Sequence, residues 1–212
     1  MDMKLPSTPL SQAADKNTGK RAGKRASNRD AILTAARHVF AELGYGATTV
    51  RDIIRRTDLA SGTFYNYFQS KEDIFQVLAM VRGEYLRARL SDARARATTF
   101  EEFIEGSFLT YFKYYADNPL DYALVRSNRG RDGQNTHMRG PQVRAGLAEM
   151  RQDIERAVDN NMVQNVDPAL LTAAIGGVAF SILDEVMESD VPDPQAAAEF
   201  AARLILQGVN GK

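Results

Sequence analysis

Polar side chains over residues 61–67, in the N-terminal third of the chain, are the residues best suited to molecular recognition. Ser61, Thr63, Asn66 and Tyr67 offer hydroxyl and amide groups, which can hydrogen-bond to phosphate oxygens and to base edges. Gly62 lies among them and would let another backbone or a phosphate approach closely. This set predicts binding to a nucleic acid through hydrogen bonds.

Catalytic and metal-binding side chains do not converge in the sequence. There is no cysteine, and the two histidines are His38 and His137, which argues against disulfides, thiolate sites and a histidine-rich metal site. The acidic pairs Glu101-Glu102 and Asp184-Glu185 are adjacent residues, which point to different faces of a helix. No glycine-rich phosphate loop accompanies them. We therefore expect a protein that is not an enzyme and has no catalytic residue, metal or cofactor.

Apolar spacing places the polar segment after two helices. Residues that recur every three or four positions predict the first helix: Ile32, Ala36, Val39, Phe40 and Leu43. Gly44 should end it. Thr48 is expected to cap a second helix, whose inner face carries Val50, Ile53 and Ile54.

The polar segment itself is predicted to be a third helix, over Thr63 to Phe68. Asp58 to Gly62 is too short for a domain linker and fits a turn between helices. Phe64 and Phe68 are four residues apart and would anchor one face. Three helices joined in this way form a helix-turn-helix unit, whose third helix can lie in a DNA major groove.

The segment also resembles a known family. Residues 47–54 read Ala-Thr-Thr-Val-Arg-Asp-Ile-Ile, and residues 61–72 read Ser-Gly-Thr-Phe-Tyr-Asn-Tyr-Phe-Gln-Ser-Lys-Glu. With Gly44-Tyr45 before them, they resemble the DNA-binding signature of the tetracycline-repressor (TetR) family. The resemblance implies an all-α homodimer with an N-terminal helix-turn-helix domain and a C-terminal helical domain for ligand binding and dimerisation.

The resemblance further implies which side chains contact double-stranded DNA: Thr49, Ser61, Gly62, Thr63, Tyr65, Asn66, Tyr67 and Lys71. Hydroxyls and Lys71 suit phosphates, whereas Asn66 suits a bidentate contact with adenine. Alternatives remain open for three of them. Tyr65 could be a core aromatic, Thr49 could support the Thr48 cap, and Lys71 could be a solvated residue at the start of a helix.

Positive charge is concentrated at the same end of the chain. Residues 1–70 contain 11 Lys and Arg against 6 Asp and Glu, whereas the remainder contains 16 against 21. Residues 1–27 lack apolar periodicity and are predicted to be a flexible basic arm. Arg21, Arg25 and Arg29 are spaced by four, so a helical extension would align them towards phosphates or a minor groove. The alternative is a solvated, disordered tail.

Residues 70–212 are predicted to form further helices. Ser70 should cap a helix that runs to about Ala93, with Asp73 as its capping-box acid. Four of the others are expected over 100–116, 120–127, 143–162 and 168–189, and the last from Pro194 to about Gln207. An exposed loop is expected over 128–133, followed by His137 at the surface.

Aromatic residues crowd the stretch from Phe100 to Tyr122 and fall on more than one helical face. Some of them could therefore line a ligand pocket, and Phe103, Tyr111 and Tyr115 are the predicted lining residues. The alternative is that all of them belong to the core.

Small residues are frequent in the last two helices. The resemblance implies that these helices form a four-helix dimer interface, with contacts at Gly176, Gly177, Phe180, Ala197, Ala201 and Leu204. The alternative is packing within one chain.

The expected organisation is thus a basic arm over 1–27, a DNA-binding domain over 28–75 and a ligand-binding and dimerisation domain over 76–212. The resemblance implies a transcriptional regulator, a repressor released from a palindromic operator by a small, largely apolar or aromatic effector. The alternative is a DNA-bound adaptor that recruits a protein and has no inducer. We found no apolar run near the length of a membrane span and no secretory signal, so we expect a cytoplasmic protein without a membrane partner.

Overall fold

The computed structural model describes residues 12–127 and 140–210, and side chains over 23–126 and 140–209. Those residues form helices and connecting turns, without a β-strand among them. The helices are α1 (Gln12–Ala47), α2 (Val50–Arg55), α3 (Ser61–Phe64), α4 (Lys71–Arg96), α5 (Phe100–Asp117), α6 (Pro119–Ser127), α7 (Pro141–Asp159), α8 (Pro168–Glu188) and α9 (Pro194–Asn210). The all-α fold is confirmed, and the helices of the body begin and end near the predicted residues.

The first helix begins much earlier than predicted. Residues 12–27 were expected to be flexible, whereas the structure continues α1 back to Gln12. The segment is rich in alanine, lysine and arginine and has no proline after Pro9, so its composition permits a helix once the downstream part is anchored. Residues 1–11 and the side chain of Arg21 lie outside the described part. Gly44 breaks the helix as predicted, with φ 75°.

The N-terminal core is built from α1 to α4 and one residue of α6. Its buried members are Ile32, Ala35, Ala36, Val39, Phe40, Ile53, Phe64, Phe68, Ile74, Leu78 and Leu124. Ile74 and Leu78 come from the first two turns of α4, and Leu124 comes from α6. The boundary predicted at residue 75 therefore falls inside a helix that continues into the body.

The second core belongs to the C-terminal body and is centred on α5, which packs against α4, α8 and α9. The helix α8 is long and apolar enough to cross a membrane, which corrects the statement that no such run exists. Of its most apolar 18-residue window, 44% is buried inside the protein, and a single helix of this kind is weak evidence for a membrane span.

The caps around α2 differ by one residue from the prediction. Thr49, and not Thr48, caps α2: its hydroxyl oxygen accepts the Asp52 N–H at 3.3 Å, while the Asp52 carboxylate accepts the Thr49 N–H at 3.0 Å. Thr48 is buried and donates to the carbonyl of Gly44 at 2.8 Å, at the point where the positive φ of Gly44 interrupts α1. Ser70 caps α4 as predicted, but the Asp73 carboxylate accepts from the N–H of Gln69 and not from that of Ser70.

Lys71 holds the connection between α1 and α2 in place. Its ammonium group donates to the carbonyls of Tyr45, Gly46 and Thr48 at 2.9, 3.3 and 2.8 Å and lies 4.8 Å from the centre of the Tyr45 ring. Three carbonyls at the end of α1 are thus satisfied by one side chain. The Tyr45 hydroxyl donates to Glu72, and partial burial together with this hydrogen bond raises the pKa of Tyr45 to about 12.

Lys71→Met should destabilise the protein by about 1–3 kcal/mol, because it keeps the aliphatic stem but leaves partly buried carbonyls without their charged donor. Urea unfolding followed by circular dichroism measures the change. The control is Lys113→Met, which removes an exposed ion pair with Asp117 and should change stability by less than about 0.5 kcal/mol. Equal effects of the two substitutions would contradict the role given to Lys71.

Candidate DNA-binding surface and ligand cavity

The helix α3 is a single turn fixed by two buried aromatics. Phe64 and Phe68 are 1% and 4% exposed and anchor the segment, as predicted. The helix was expected to run over Thr63–Phe68, whereas the structure places it over Ser61–Phe64. It continues as hydrogen-bonded turns, in which the N–H groups of Tyr67 and Phe68 donate to the Phe64 carbonyl.

The outward side of this segment carries the predicted recognition residues. Ser61, Gly62, Tyr65 and Asn66 are exposed, and Thr63 is half-buried. Tyr65 is 60% exposed and touches the ring of Phe64 edge-on, so it does not belong to the core. We call these five residues the recognition surface. Their hydroxyl, phenol and amide groups can contact a DNA groove, while the buried Phe64 and Phe68 anchor the segment to the core.

Four other predicted DNA contacts already have partners within the protein. The half-buried Tyr67 accepts from Asn28 Nδ2 at 3.4 Å, and the exposed Arg29 guanidinium lies 5.6 Å from the Phe68 ring centre. Thr49 is exposed, but its hydroxyl is engaged with Asp52. Lys71 directs its ammonium group to three carbonyls and is not a solvated residue. These side chains support the recognition surface, and DNA contacts by them stay a prediction.

Two exposed arginines on α2 were missed from the sequence. Arg51 and Arg55 are one helical turn apart, and both are exposed. Their spacing by four on a helix next to the recognition segment is the signal that could have identified them. Both can donate to phosphates that flank a groove.

A cavity of about 120 Å³ lies in the body between α4, α5, α7 and α8. Tyr111 and Tyr115 line it, as predicted. Phe103 does not, because it is buried and stacks on Phe100 with ring centres 5.7 Å apart. Phe180, for which contact with a second protomer stays a prediction, also lines the cavity. Aliphatic side chains complete the walls: Leu86, Leu90, Leu147, Met150 and Ile175.

At Gly83 the helices α4 and α7 approach closely beside this cavity. A Cβ atom added to Gly83 would lie 2.5 Å from the Cβ of Gln142, a distance that side chains do not tolerate. Glycine is therefore required for this helix contact, and its backbone forms part of the cavity lining.

Three arginines of α4 also line the cavity, and sequence reasoning missed all three. Arg87 pairs with Glu149 at 3.1 Å and donates to Gln142 at 2.7 Å. Arg94 is buried and pairs through Nε with Asp153 at 2.5 Å. Within the described part of the chain, Arg82 Nη1 and Arg94 Nη2 are buried without a hydrogen-bond partner.

A polar bridge joins the N-terminal domain to the body near the cavity. Arg37 of α1 pairs with the buried Asp121 of α6 at 2.6 Å, and the Tyr114 hydroxyl donates to the same carboxylate. Burial and this hydrogen bond raise the pKa of Tyr114. Burial also raises the pKa of Tyr115, while the positive charge of Arg82 lowers it. Arg82 is thus electrostatically close to the bridge.

The predicted dimer residues divide into two groups. Gly176 and Ala201 are buried inside the protomer, and a Cβ on Gly176 would meet Leu147 at 3.1 Å, so neither can contact a partner directly. Gly177 and Ala197 are half-buried, and Leu204 is 52% exposed. Phe200 and Leu170 are exposed apolar residues of α9 and α8 that the sequence analysis did not name. Gly176 and Gly177 are adjacent in sequence, as are Phe200 and Ala201. Adjacent residues point to different sides of a helix, so one of each pair is buried and the other is not.

Comparison with known proteins places this geometry in a family. Residues 32–78 match the model of bacterial regulatory proteins of the tetR family. This part of the chain is thus similar to the DNA-binding domain of tetR-family regulators. The matched range contains α2, α3, the recognition surface and the first two turns of α4. The TetR resemblance of the sequence is confirmed.

Curated relatives match less than half of the chain. The transcriptional repressor KstR2 of Mycolicibacterium smegmatis is 35% identical over 88 residues, which are 42% of this chain and 43% of that protein. KstR2 of Mycobacterium tuberculosis is 36% identical over 92 residues, which are 43% and 46%. The matched stretch thus spans less than half the length of these relatives.

Solved structures share the fold over most of the chain. The regulator FadR of Bacillus subtilis, solved in complex with stearoyl-CoA, has a TM-score of 0.73 at 21% identity, covering 86% of this chain and 98% of that one. The fatty acid degradation regulator FadR of Bacillus halodurans has a TM-score of 0.72 at 24% identity, covering 87% and 97%. These similarities establish the TetR-type fold.

Asn66→Ala should relax the base preference of the protein at one position of each half-site and cost about 1–3 kcal/mol of specific binding. Sequences selected by the wild type and the variant from a random DNA pool measure the preference. Lys113→Ala, on α5 of the body, is the control and should select the wild-type sequence. An unchanged preference for Asn66→Ala would remove this residue from base readout.

Proposed function

We propose that this protein is a TetR-type, sequence-specific DNA-binding regulator of transcription that acts as a repressor. The observation that carries the proposal is the recognition surface, which exposes hydrogen-bonding groups from one short turn of helix anchored by Phe64 and Phe68. A rigidly held polar helix face is what major-groove readout requires. The direction of regulation is supported by KstR2, a transcriptional repressor that is 35% identical to this chain over 88 residues.

Positive charge around the recognition surface supports affinity for DNA. Arg51 and Arg55 are exposed on α2, and Lys24 and Arg25 are exposed on α1. Contacts of such groups with phosphates release counterions, so binding should weaken steeply with salt. The net charge of +5 over residues 1–70, from 11 basic and 6 acidic residues, agrees with this orientation.

Two copies of the chain are proposed to bind together through α8 and α9. Phe200 and Leu204 are 54% and 52% exposed on α9, one turn apart, and Leu170 is 72% exposed at the start of α8. We propose that these three residues and the half-buried Gly177 form one apolar face, which would be exposed to solvent in a monomer. A two-fold dimer would bury it and would present two recognition surfaces to a palindromic operator.

Leu204→Asp should shift the protein from dimer to monomer, because two carboxylates would face each other across the two-fold interface. Sedimentation velocity measures the change, and operator affinity should fall by about a hundredfold or more through loss of bivalency. The control is Val81→Asp on α4, an equally exposed apolar residue outside this face. A dimer that persists in Leu204→Asp would place the interface elsewhere.

The cavity is proposed to hold a small, largely apolar or aromatic effector that releases the DNA. Cavities of this kind bind ligands through apolar walls and few polar groups. FadR of Bacillus subtilis has the same fold and was solved with stearoyl-CoA. The cavity favours such a sensor over the adaptor without an inducer. The proposed site of action is the bacterial cytoplasm, where operator and metabolite meet.

Release is proposed to act through α4. Residues of this helix line the cavity from Ala79 to Arg94. Its first two turns place Ile74 and Leu78 in the N-terminal core. An effector that displaces α4 would change the separation of the two recognition surfaces. Because the separation must match the half-sites, a small shift is enough to weaken binding.

Ala179→Leu should abolish the response to effector without changing operator affinity, because the added methyl groups fill the cavity next to Phe180. Compounds that release operator DNA from the wild type are retested on the variant by fluorescence anisotropy. Effector affinity should fall about tenfold or more. The control is Ala148→Leu, an exposed position on α7. An equal response of both variants would place the effector outside this cavity.

A further inference from the structure

The charge balance of the cavity is unusual for an apolar ligand site. Arg82 lines the cavity, and no hydrogen bond or ion pair of its guanidinium is found among the described residues, where its Nη1 atom is buried. A guanidinium donates five N–H groups and stays charged at physiological pH. A cationic side chain that is partly withdrawn from water without an anionic partner is costly unless a ligand supplies the partner.

The other arginines of the cavity do not remove this excess charge. Arg87 is neutralised by Glu149, whereas the single carboxylate of Asp153 is shared by Arg94 and by Arg156 outside the cavity. The Nη2 atom of Arg94 remains buried without a partner in the described part of the chain. Four guanidinium groups thus meet two carboxylates, which leaves positive charge directed at an otherwise apolar space.

We propose that the effector is an amphiphilic anion, whose negatively charged group is bound by Arg82 and whose apolar body lies against Tyr111, Tyr115 and the aliphatic wall of the cavity. The proposal deepens the ligand-release function and rests on it. It replaces a ligand defined only by apolarity with one that must carry a carboxylate or a phosphate.

The placement of the two arginines assigns them different parts of the ligand. Arg82 and Arg94 are twelve residues apart on α4, which corresponds to about 18 Å along the helix. The charge of Arg82 acts on Tyr115, which also lines the cavity. In this proposal Arg82 binds the anionic group near Tyr115. Arg94 Nη2 is then available to a polar group at the other end of the ligand or to water.

A carboxylate and a phosphate are chemically similar to an arginine, since both accept paired hydrogen bonds from a guanidinium. The anion could therefore be the carboxylate of a free acid or a phosphate of a coenzyme A thioester. The free acid and the thioester are therefore each compared with a neutral compound that has the same hydrocarbon chain.

Isothermal titration calorimetry on the full chain provides the test. The probes are straight-chain alkanoic acids from hexanoic to hexadecanoic acid, the matching primary amides and the matching coenzyme A thioesters. An acid or a thioester should bind at least about tenfold more tightly than the amide of the same chain length. Binding of the acid points to a carboxylate, and binding of the thioester alone points to a phosphate.

Arg82→Gln should reduce the affinity of the preferred anion to that of the amide and leave the amide unchanged. Arg82→Lys should restore part of the difference. The matched control is Arg89→Gln, the same substitution on the same helix at an exposed position outside the cavity lining. Thermal unfolding of Arg82→Gln without ligand should match or exceed that of the wild type, because the arginine has no partner to lose.

Amides that bind as tightly as the anions, an unchanged anion affinity in Arg82→Gln, or no binding by any anion in the series would each overturn the assignment of Arg82. Operator affinity separates this outcome from failure of the proposed function. An anion that binds through Arg82 but leaves operator affinity unchanged would support the anion site and contradict release.

Discussion

One helix, α4, is a structural part of both hydrophobic cores, and the arrangement of the molecule depends on this constraint. Ile74 and Leu78 are buried in the N-terminal core, and Leu86 is buried in the core of the body. A helix of 26 residues is about 39 Å long, and α4 contains no proline that would kink it sharply. We therefore propose that a displacement of α4 near the cavity also moves its N-terminal end, which supports the recognition surface.

A second connection runs parallel to α4. The helix α6 places Leu124 in the N-terminal core and Asp121 against Arg37 of α1, while Tyr114 of α5 donates to the same carboxylate. A buried carboxylate with two partners connects α1, α5 and α6, and removal of Arg37 would leave its charge uncompensated. Tyr115 follows Tyr114 in the chain and lines the cavity. An anion bound at Arg82 would therefore act on this bridge as well as on α4.

Sequence patterns predicted the helices and the anchors well, because both depend on local spacing. Phe64 and Phe68 were recognised by their separation of four, and the proline-initiated helices α8 and α9 by their Asp-Pro starts. What failed depends on contacts between distant segments. The ammonium of Lys71 reaches carbonyls more than twenty residues earlier, and Phe103 turns to Phe100 and away from the cavity. The arginines of α4 have the same appearance in the sequence as solvated residues, and only the packing of α7 and α8 encloses them.

The central claim is that the cavity and the recognition surface are energetically linked through α4, and binding reciprocity tests it directly. The affinity of the strongest-binding alkanoic anion is measured by calorimetry with and without saturating operator DNA, and operator affinity is measured with and without saturating anion. The account predicts that each ligand weakens the other by the same factor, within the range of about 5–150-fold that is typical of such coupling. An anion that binds in the cavity with the same affinity in the presence and absence of operator would contradict the account.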